Sequence, residues 1–483
     1  MYAVRLGLSP AALCLGVCAV ALATPAEAQV KPKPRSLPIV EGLWEGPYEW
    51  PHASVHTALL PTGNVLSYAY GTSALDIFWT ELDATNYTAA VGYLAKSLFC
   101  GGHVLFANGR LLVAGGTTSD PSFGHVKGPT HTEFYDPWTH AWSAGDDMNH
   151  GRYYPTLLTQ ANGSVLALSG INELGAYEEV VERYDDALGW IDLPGSELLQ
   201  DLYPRAHLLS FGGVFVAGPG PVSMLFDPDA PAWYPIATTQ SVYRAEGCSV
   251  LVPGATDRVM LIGGTDDGVI GTNTCESIDL ASGSPSWQPA PPMAYPRFHH
   301  NALILANGTV FVFGGAEFDD PAASVLPCEL YLPESDRWRT VAPLHRARLY
   351  HSSGVLLPDG RVQVGGGDGE HSLEIYWPPY MFRPRPAIQH VSTELGYGAA
   401  FTLDLAGTAA TDIQRVALIR PVATTHSVAM DQRFVELSFG TSGDHQLVVD
   451  APSNPNLAPL GVYMLVVIDG HGTPSVARMV YLD

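Results

Sequence analysis

The stretch His299-His300-Asn301-Ala302-Leu303-Ile304-Leu305-Ala306-Asn307-Gly308-Thr309-Val310-Phe311-Val312-Phe313-Gly314-Gly315 decides the fold. Asn307-Gly308 opens a tight connection, Val310 to Phe313 reads as a buried inner strand, and the glycine pair permits the sharp turn that leaves it. The same ending recurs at Tyr70-Gly71, Gly115-Gly116, Ser169-Gly170, Ala217-Gly218, Gly263-Gly264 and Gly366-Gly367. A second regularity runs ahead of the turn. Cys100 stands eight residues before Asn108, Tyr154 eight before Asn162, His299 eight before Asn307 and His351 eight before Asp359. Equivalent positions of units arranged about one axis meet at the centre, so these distant side chains are expected to converge.

The endings lie roughly fifty residues apart, the kelch period rather than the shorter WD40 one, and seven endings predict a seven-bladed β-propeller. After each ending comes a further strand with segments such as Phe134-Tyr135-Asp136-Pro137 or Leu225-Phe226-Asp227-Pro228. A tryptophan then recurs, at Trp142, Trp190, Trp233, Trp287 and Trp338. Their repetition marks them as blade-packing residues rather than redox groups. The 49 glycines and 39 prolines suit many short strands, so the fold class is all-β. Beyond Gly367 the repeat stops, and Trp377 to Pro386 is a proline-stiffened exit. Short runs at 401–405, 416–419, 434–439, 446–449, 462–468 and 476–482 then suit an immunoglobulin-like β-sandwich. The expected division is a propeller over 29–378 and the sandwich over 379–483.

Residues 1–28 read as a signal peptide: Arg5, an apolar stretch from Leu6 to Ala23, and Ala26-Glu27-Ala28 as the cleavage site. A secreted, extracellular or periplasmic protein is expected. The formal charge of −24 sets a like-charged surface against nucleic acid and anionic membranes, which excludes both as partners. Past the leader four cysteines remain, Cys100, Cys248, Cys275 and Cys328, too few for a disulfide framework, with one bridge allowed among the last three.

Chemistry gathers at the axial register. By itself Cys100 reads as a small buried hydrophobe, but Tyr154 begins the equivalent strand of the next blade, so the two side chains are placed to touch. Tyr350-His351 sets two ligand types side by side at that level. His426 lies in a polar interval between two sandwich strands, from which a loop can reach back into the propeller. Two imidazoles, two phenolates and an open position favour copper(II), whereas zinc prefers thiolate or carboxylate. His299 and His300 share the register and are candidates for a substrate pocket, as is Arg244 beside Tyr243. Tyr203 also shares it and reads as blade packing.

At these residues the chain resembles the copper radical oxidases, the family of galactose oxidase and glyoxal oxidase, and is closer to the glyoxal oxidase branch. The resemblance covers nearly the whole mature chain. It is carried by Arg152-Tyr153-Tyr154-Pro155, Leu202-Tyr203-Pro204, Tyr350-His351-Ser352, Thr425-His426-Ser427 with Asp431-Gln432-Arg433, and Pro474-Ser475-Val476-Ala477-Arg478. It implies a thioether between Cys100 and the ring of Tyr154, formed with copper and oxygen. It further implies that Tyr154, His351 and His426 are equatorial copper ligands and Tyr350 the axial ligand and general base, with Tyr154 carrying the radical. Sulfur substitution lowers the potential of a phenol, so the radical and the metal together form a two-electron oxidant. One feature departs from galactose oxidase: the tryptophan that stacks over the cross-linked tyrosine has no counterpart in Ser169-Gly170-Ile171-Asn172-Glu173. His103 and Tyr153 are the candidates to replace it.

The implied substrates are small aldehydes, as hydrates, primary alcohols or a glycan end, with dioxygen as acceptor and hydrogen peroxide released, available to a partner peroxidase. Two other classes differ from this in what they require of the sequence. A non-enzymatic kelch module binding protein or glycan would need no Cys100–Tyr154 pair. A propeller hydrolase wants paired carboxylates, where this register holds Cys, Tyr and His.

Overall fold

A computed structural model describes residues 18–20, 37–71, 76–118, 126–241 and 243–483. The expected leader lies outside them except for Cys18–Val20, whose backbone pairs antiparallel with Ala89 to Val91. Seven antiparallel sheets follow one another around a centre, making a seven-bladed propeller. Their innermost strands are His56–Leu59, Gly102–Leu105, Thr156–Thr159, Ala206–Leu208, Cys248–Leu251, Phe298–Ile304 and Ser352–Leu356. The last sheet takes its outer strand from the other end of the chain, Leu43–Glu49 pairing with Ser372–Trp377. Its inner strand meets that of the first sheet through Thr57 Oγ1 and Ser353 Oγ, 2.7 Å apart.

The innermost strands are buried but mixed, with His56, Thr57, His103, Thr156, Asn301 and Ser352 among them. The apolar run Val310 to Phe313, expected to be innermost, is instead the second strand of its sheet, apolar because both faces of the sheet pack on neighbours. One cluster joins Val104, Leu112 and Phe134 of the second sheet to Leu157, Val165 and Tyr184 of the third. The recurring tryptophans sit where packing residues should. Trp190 donates to Thr132 Oγ1 of the preceding sheet at 2.8 Å, and Trp287 to Ser223 Oγ at 2.9 Å. Trp233 and Trp338 donate to the carbonyls of Ser196 and Pro291.

A second staple is formed by buried ion pairs. Arg152, Arg244, Arg297 and Arg348 are each buried and paired with a glutamate of the third strand of their own sheet: Glu182, Glu276, Glu329 and Glu374, at 2.7 to 3.0 Å. Each also donates to the carbonyl of a residue in the small-residue turn, Ser169, Gly263, Gly314 and Gly366 respectively. A buried charge is tolerated when paired and hydrogen-bonded, and here it ties the turn to the segment leading into the inner strand of the same sheet. The glycines are required at close quarters: Gly314 has φ +71, and a Cβ there would stand 2.4 Å from the Arg348 carbonyl oxygen.

From Ile388 onward two further sheets share one core, Leu403, Leu405 and Leu447 of one meeting Val416, Leu465 and Val467 of the other. This is the sandwich. The strands Ile413–Ile419 and Gly461–Asp469 are buried on both faces, since Ala417, Ile419, Met464 and Val466 pack against Phe311 and Leu356 of the propeller. That explains the apolar runs at 416–419 and 462–468.

Between Ile413–Ile419 and Phe434–Leu437 the chain makes a hairpin, Ala423–Thr425 and Val428–Met430, that leaves the sandwich and adds to the inner strand of the first blade, Thr424 opposite Thr57. Its base is braced by buried charges: Arg420 Nε lies 2.7 Å from Asp431, and Arg420 also donates to Leu105 O and Thr159 Oγ1. The Gln432 side chain bonds both backbone groups of Ile304. The sandwich thereby sends one rigid finger into the propeller axis.

Candidate metal centre

Each blade presents one residue in left-handed backbone conformation at or just before its inner strand: Ser54 (φ 41), Cys100 (65), Tyr154 (64), Tyr203 (46), Glu246 (51), His299 (57) and His351 (66). None is glycine, and such residues cost about 1–3 kcal/mol apiece, persisting where the surroundings over-determine them. The hairpin tip adds His426 (φ 48) and Ser427 (64), the paired positive values of a type I′ turn. Strain therefore concentrates at one end of the axis.

There Cys100, Tyr154, Tyr350, His351 and His426 come together from three blades and the hairpin. Ligating atoms of Cys100, His351 and His426 all lie within 4.8 Å of one another, and Cys100 Sγ is 3.4 Å from His426 Nε2. The Tyr154 and Tyr350 hydroxyls are in direct hydrogen-bond contact. The Tyr154 amide donates to Cys100 O at 2.9 Å, and Cys100 and Tyr154 share one packing cluster.

The donors are pre-oriented. Asp368 Oδ1 lies 2.6 Å from His351 Nδ1, while the buried Nε2 of His351 has no partner. Thr425 Oγ1 holds His426 Nδ1 at 2.5 Å, leaving Nε2 toward Cys100. This is the outer-shell pattern that fixes the tautomer of ligating imidazoles. Burial, then His351 and His56, keep His426 neutral. Burial and then the neighbouring Cys100 push the Tyr154 and Tyr350 phenols well above their usual range, so neither ionises there without a nearby cation. Two imidazoles, two phenols and an orphaned nitrogen fit one copper ion.

The Tyr154 ring is sandwiched. Tyr153 stacks on it at 4.1 Å between centroids and 13° between planes, and Tyr203 stacks on its other side at 4.6 Å and 26°. Tyr153 thus stands where a shielding aromatic was sought, and Tyr203 does more than pack its blade. His103 does not stack there; it is buried with Nδ1 on the Tyr68 hydroxyl at 3.3 Å.

His299 borders a cavity of about 310 Å³ that Tyr350, Phe298, Phe318, Leu349 and Asp368 also line, and its ring lies 4.9 Å from that of Tyr350. His300 is a correction: alternation along the strand turns it inward, fully buried, against Gly263, where a Cβ would meet its ring at 2.7 Å. Arg244 is another. It is 3% exposed, and its guanidinium is engaged by Glu276, Gly263 and Thr274, leaving nothing for a substrate. Its neighbour Tyr243 donates to Asp201 at 2.6 Å. Cys248, Cys275 and Cys328 are free and buried, so the allowed disulfide is not formed. Glu246 at the axial position escaped the sequence reading; its only signal was its place eight residues before Gly254.

The fold is a seven-bladed propeller whose candidate metal centre is completed by a C-terminal finger. Residues 80–380 match the family model described as glyoxal oxidase N-terminus, and 385–482 the galactose oxidase-like early set domain. The chain belongs to this family, the copper radical oxidases. Galactose oxidase of Gibberella zeae is 27% identical over 91% of this chain and 70% of its own length. The aldehyde oxidase GLOX of Vitis pseudoreticulata is 27% identical over 70% of this chain and 73% of its own. A fungal alcohol oxidase of the AA5 family, solved with copper, superposes with a TM-score of 0.82 at 24% identity, covering 91% of this chain and 99% of that one. It shares the fold.

Proposed function

We propose that this chain is a secreted copper radical oxidase that converts a primary alcohol to an aldehyde, or a hydrated aldehyde to a carboxylic acid, while dioxygen becomes hydrogen peroxide. The atoms balance: two hydrogens leave the substrate and both appear in the peroxide. The observation that carries this reading is the meeting of Cys100 and Tyr154 with Tyr350, His351 and His426 at one strained end of the axis. Copper held by Tyr154, Tyr350, His351 and His426 would supply Lewis acidity and a one-electron couple.

The chain's own residues carry the rest. Cys100 and Tyr154 form the thioether, and the cross-linked Tyr154, between Tyr153 and Tyr203, holds the radical and takes hydrogen from the substrate carbon. Tyr350, within reach of Tyr154 and facing the cavity, takes the hydroxyl proton. His299 lines the approach. In this reading the propeller spans 29–378 and residues 379–483 contribute His426, while 1–28 export the chain. Among the described residues no helix is long and apolar enough to cross a membrane. A peroxidase using the released peroxide is a fitting partner.

The test is intact mass of thiol-reduced mature protein before and after copper(II) in air, with peptide mapping. Loss of about two hydrogens that survives the thiol, mapped to Cys100 and Tyr154 and lost in Cys100→Ser, is expected for a thioether rather than a disulfide. Copper binding with no such loss would refute the radical mechanism and leave the kelch binding module as the reading to pursue.

A further inference from the structure

Glu246 is the one acidic residue among the seven axial positions, so its side chain starts from the same level as the candidate ligands. Its carboxylate Oε2 lies 3.6 Å from His299 Nδ1, and the His299 amide donates to Glu246 O at 2.9 Å. Since the His299 ring abuts Tyr350, Glu246 stands one side chain away from the proposed base, near enough for its charge to act on the Tyr350 phenol. Its side chain is 35% exposed, open to an entering molecule yet only partly hydrated.

His299 is its ion-pair partner, and Arg205 acts on it at longer range. Arg205 donates to the carbonyls of Gly247 and Tyr203, and Arg244 is bound to Glu276 and backbone. The cavity against Tyr350 carries Asp319, Asp320, Asp368 and Glu370 on its wall, Glu246 reaches it through His299 rather than lining it, and among the described residues no lysine or arginine lines it.

We propose that Glu246 sets the charge class of the substrate: the approach to Tyr350 admits uncharged or cationic alcohols and hydrated aldehydes and discriminates against those bearing a carboxylate. This rests on the oxidase reading. An anionic substrate would bring like charge into a half-buried funnel, where repulsion is stronger than in bulk water.

The experiment compares kcat/KM for glycolaldehyde and glyoxylate, two-carbon aldehydes differing by the carboxylate, by oxygen uptake with the copper-loaded, cross-linked protein. The expected ratio exceeds about ten at low salt and shrinks as salt shortens the Debye length from about 30 Å to a few ångströms. Glu246→Gln is expected to lower the ratio about fivefold to tenfold by raising the glyoxylate value, with copper content and cross-link mass measured to confirm assembly. A wild-type ratio near or below one, a ratio indifferent to salt, or one that E246Q leaves in place overturns the charge assignment and spares the oxidase. Should E246Q not assemble, the salt dependence of the wild type decides. Absence of oxygen uptake with every alcohol and aldehyde tried, despite an intact cross-link, overturns the oxidase reading and this inference with it.

Discussion

Tyr154 lies between two tyrosine rings where galactose oxidase has an indole, and under the proposed radical chemistry these rings would shield it. Tyr203 also donates its hydroxyl to Gly101 O at 3.1 Å, gripping the backbone next to Cys100. Tyr203→Phe should cost about 1 kcal/mol, one hydrogen bond, and leave the radical absorption intact. Tyr203→Ala should cost about 3–5 kcal/mol by opening a cavity and shorten the radical's lifetime several-fold. Urea unfolding and decay of the visible band check both, and an unchanged lifetime in the alanine variant would show that the stack does not shield. Asp368 offers a second residue-scale test. Its carboxylate is largely exposed, so Asp368→Asn should fold normally yet weaken copper binding about 10- to 100-fold by loosening His351. Chelator competition measures this; unaltered affinity removes Asp368 from the positioning role. At this scale the register of Cys100, Tyr154, His299 and His351 was legible because an eight-residue offset is written along the chain. What became of Arg244 and His300 was not. A strand's alternation and a buried glutamate thirty-two residues away turn them from the axis, and neither is visible in local composition.

The hairpin 423–430 is the element that completes the centre, and it reads in sequence only as a polar interval. Its partner strand lies more than three hundred residues earlier, and pairing at that separation leaves no local periodicity to detect. The second strands of the blades, by contrast, announce themselves through apolar runs closed by small-residue turns. The hairpin tip also holds strain with a purpose. A type I′ turn favours Asn-Gly, yet His426 and Ser427 occupy it with φ 48 and 64, where an L-residue costs roughly 1–2 kcal/mol. Ser427→Gly is expected to raise copper-free stability by about 1 kcal/mol with copper still bound. His426→Gly should gain similarly and lose high-affinity copper. Urea midpoints paired with copper titration read both effects. A destabilised Ser427→Gly protein would mean that the turn is not strained.

Seven sheets and a sandwich could be counted from spacing and turn residues, whereas the closing strand Leu43–Glu49 lay too far from any repeat to be assigned. Closing the ring in this way brings many histidines into the dry interior, with a consequence for the whole molecule. Loss of hydration pushes His52, His103 and His207 down to about 3, and burial likewise holds His56 and His300 well below the usual value. In the unfolded chain each takes up a proton near pH 6.5, while in the folded protein it stays neutral. Below pH 6.5 the unfolded state therefore binds more protons, so their contribution is fully present above that value and is lost as pH falls toward the folded value. Each such histidine contributes a slope of about 1.4 kcal/mol per pH unit in that window. Carboxylates enter later. For Glu276 burial acts to raise the value, but the Gln240 amide and Arg244 outweigh it and hold it low; its share is lost only below about 4.5. The urea midpoint of copper-free protein should therefore begin to fall just below pH 6.5, well before carboxylates titrate, and steepen as the histidines act together. A midpoint flat from pH 7 to pH 5 would contradict a propeller interior that keeps its imidazoles neutral.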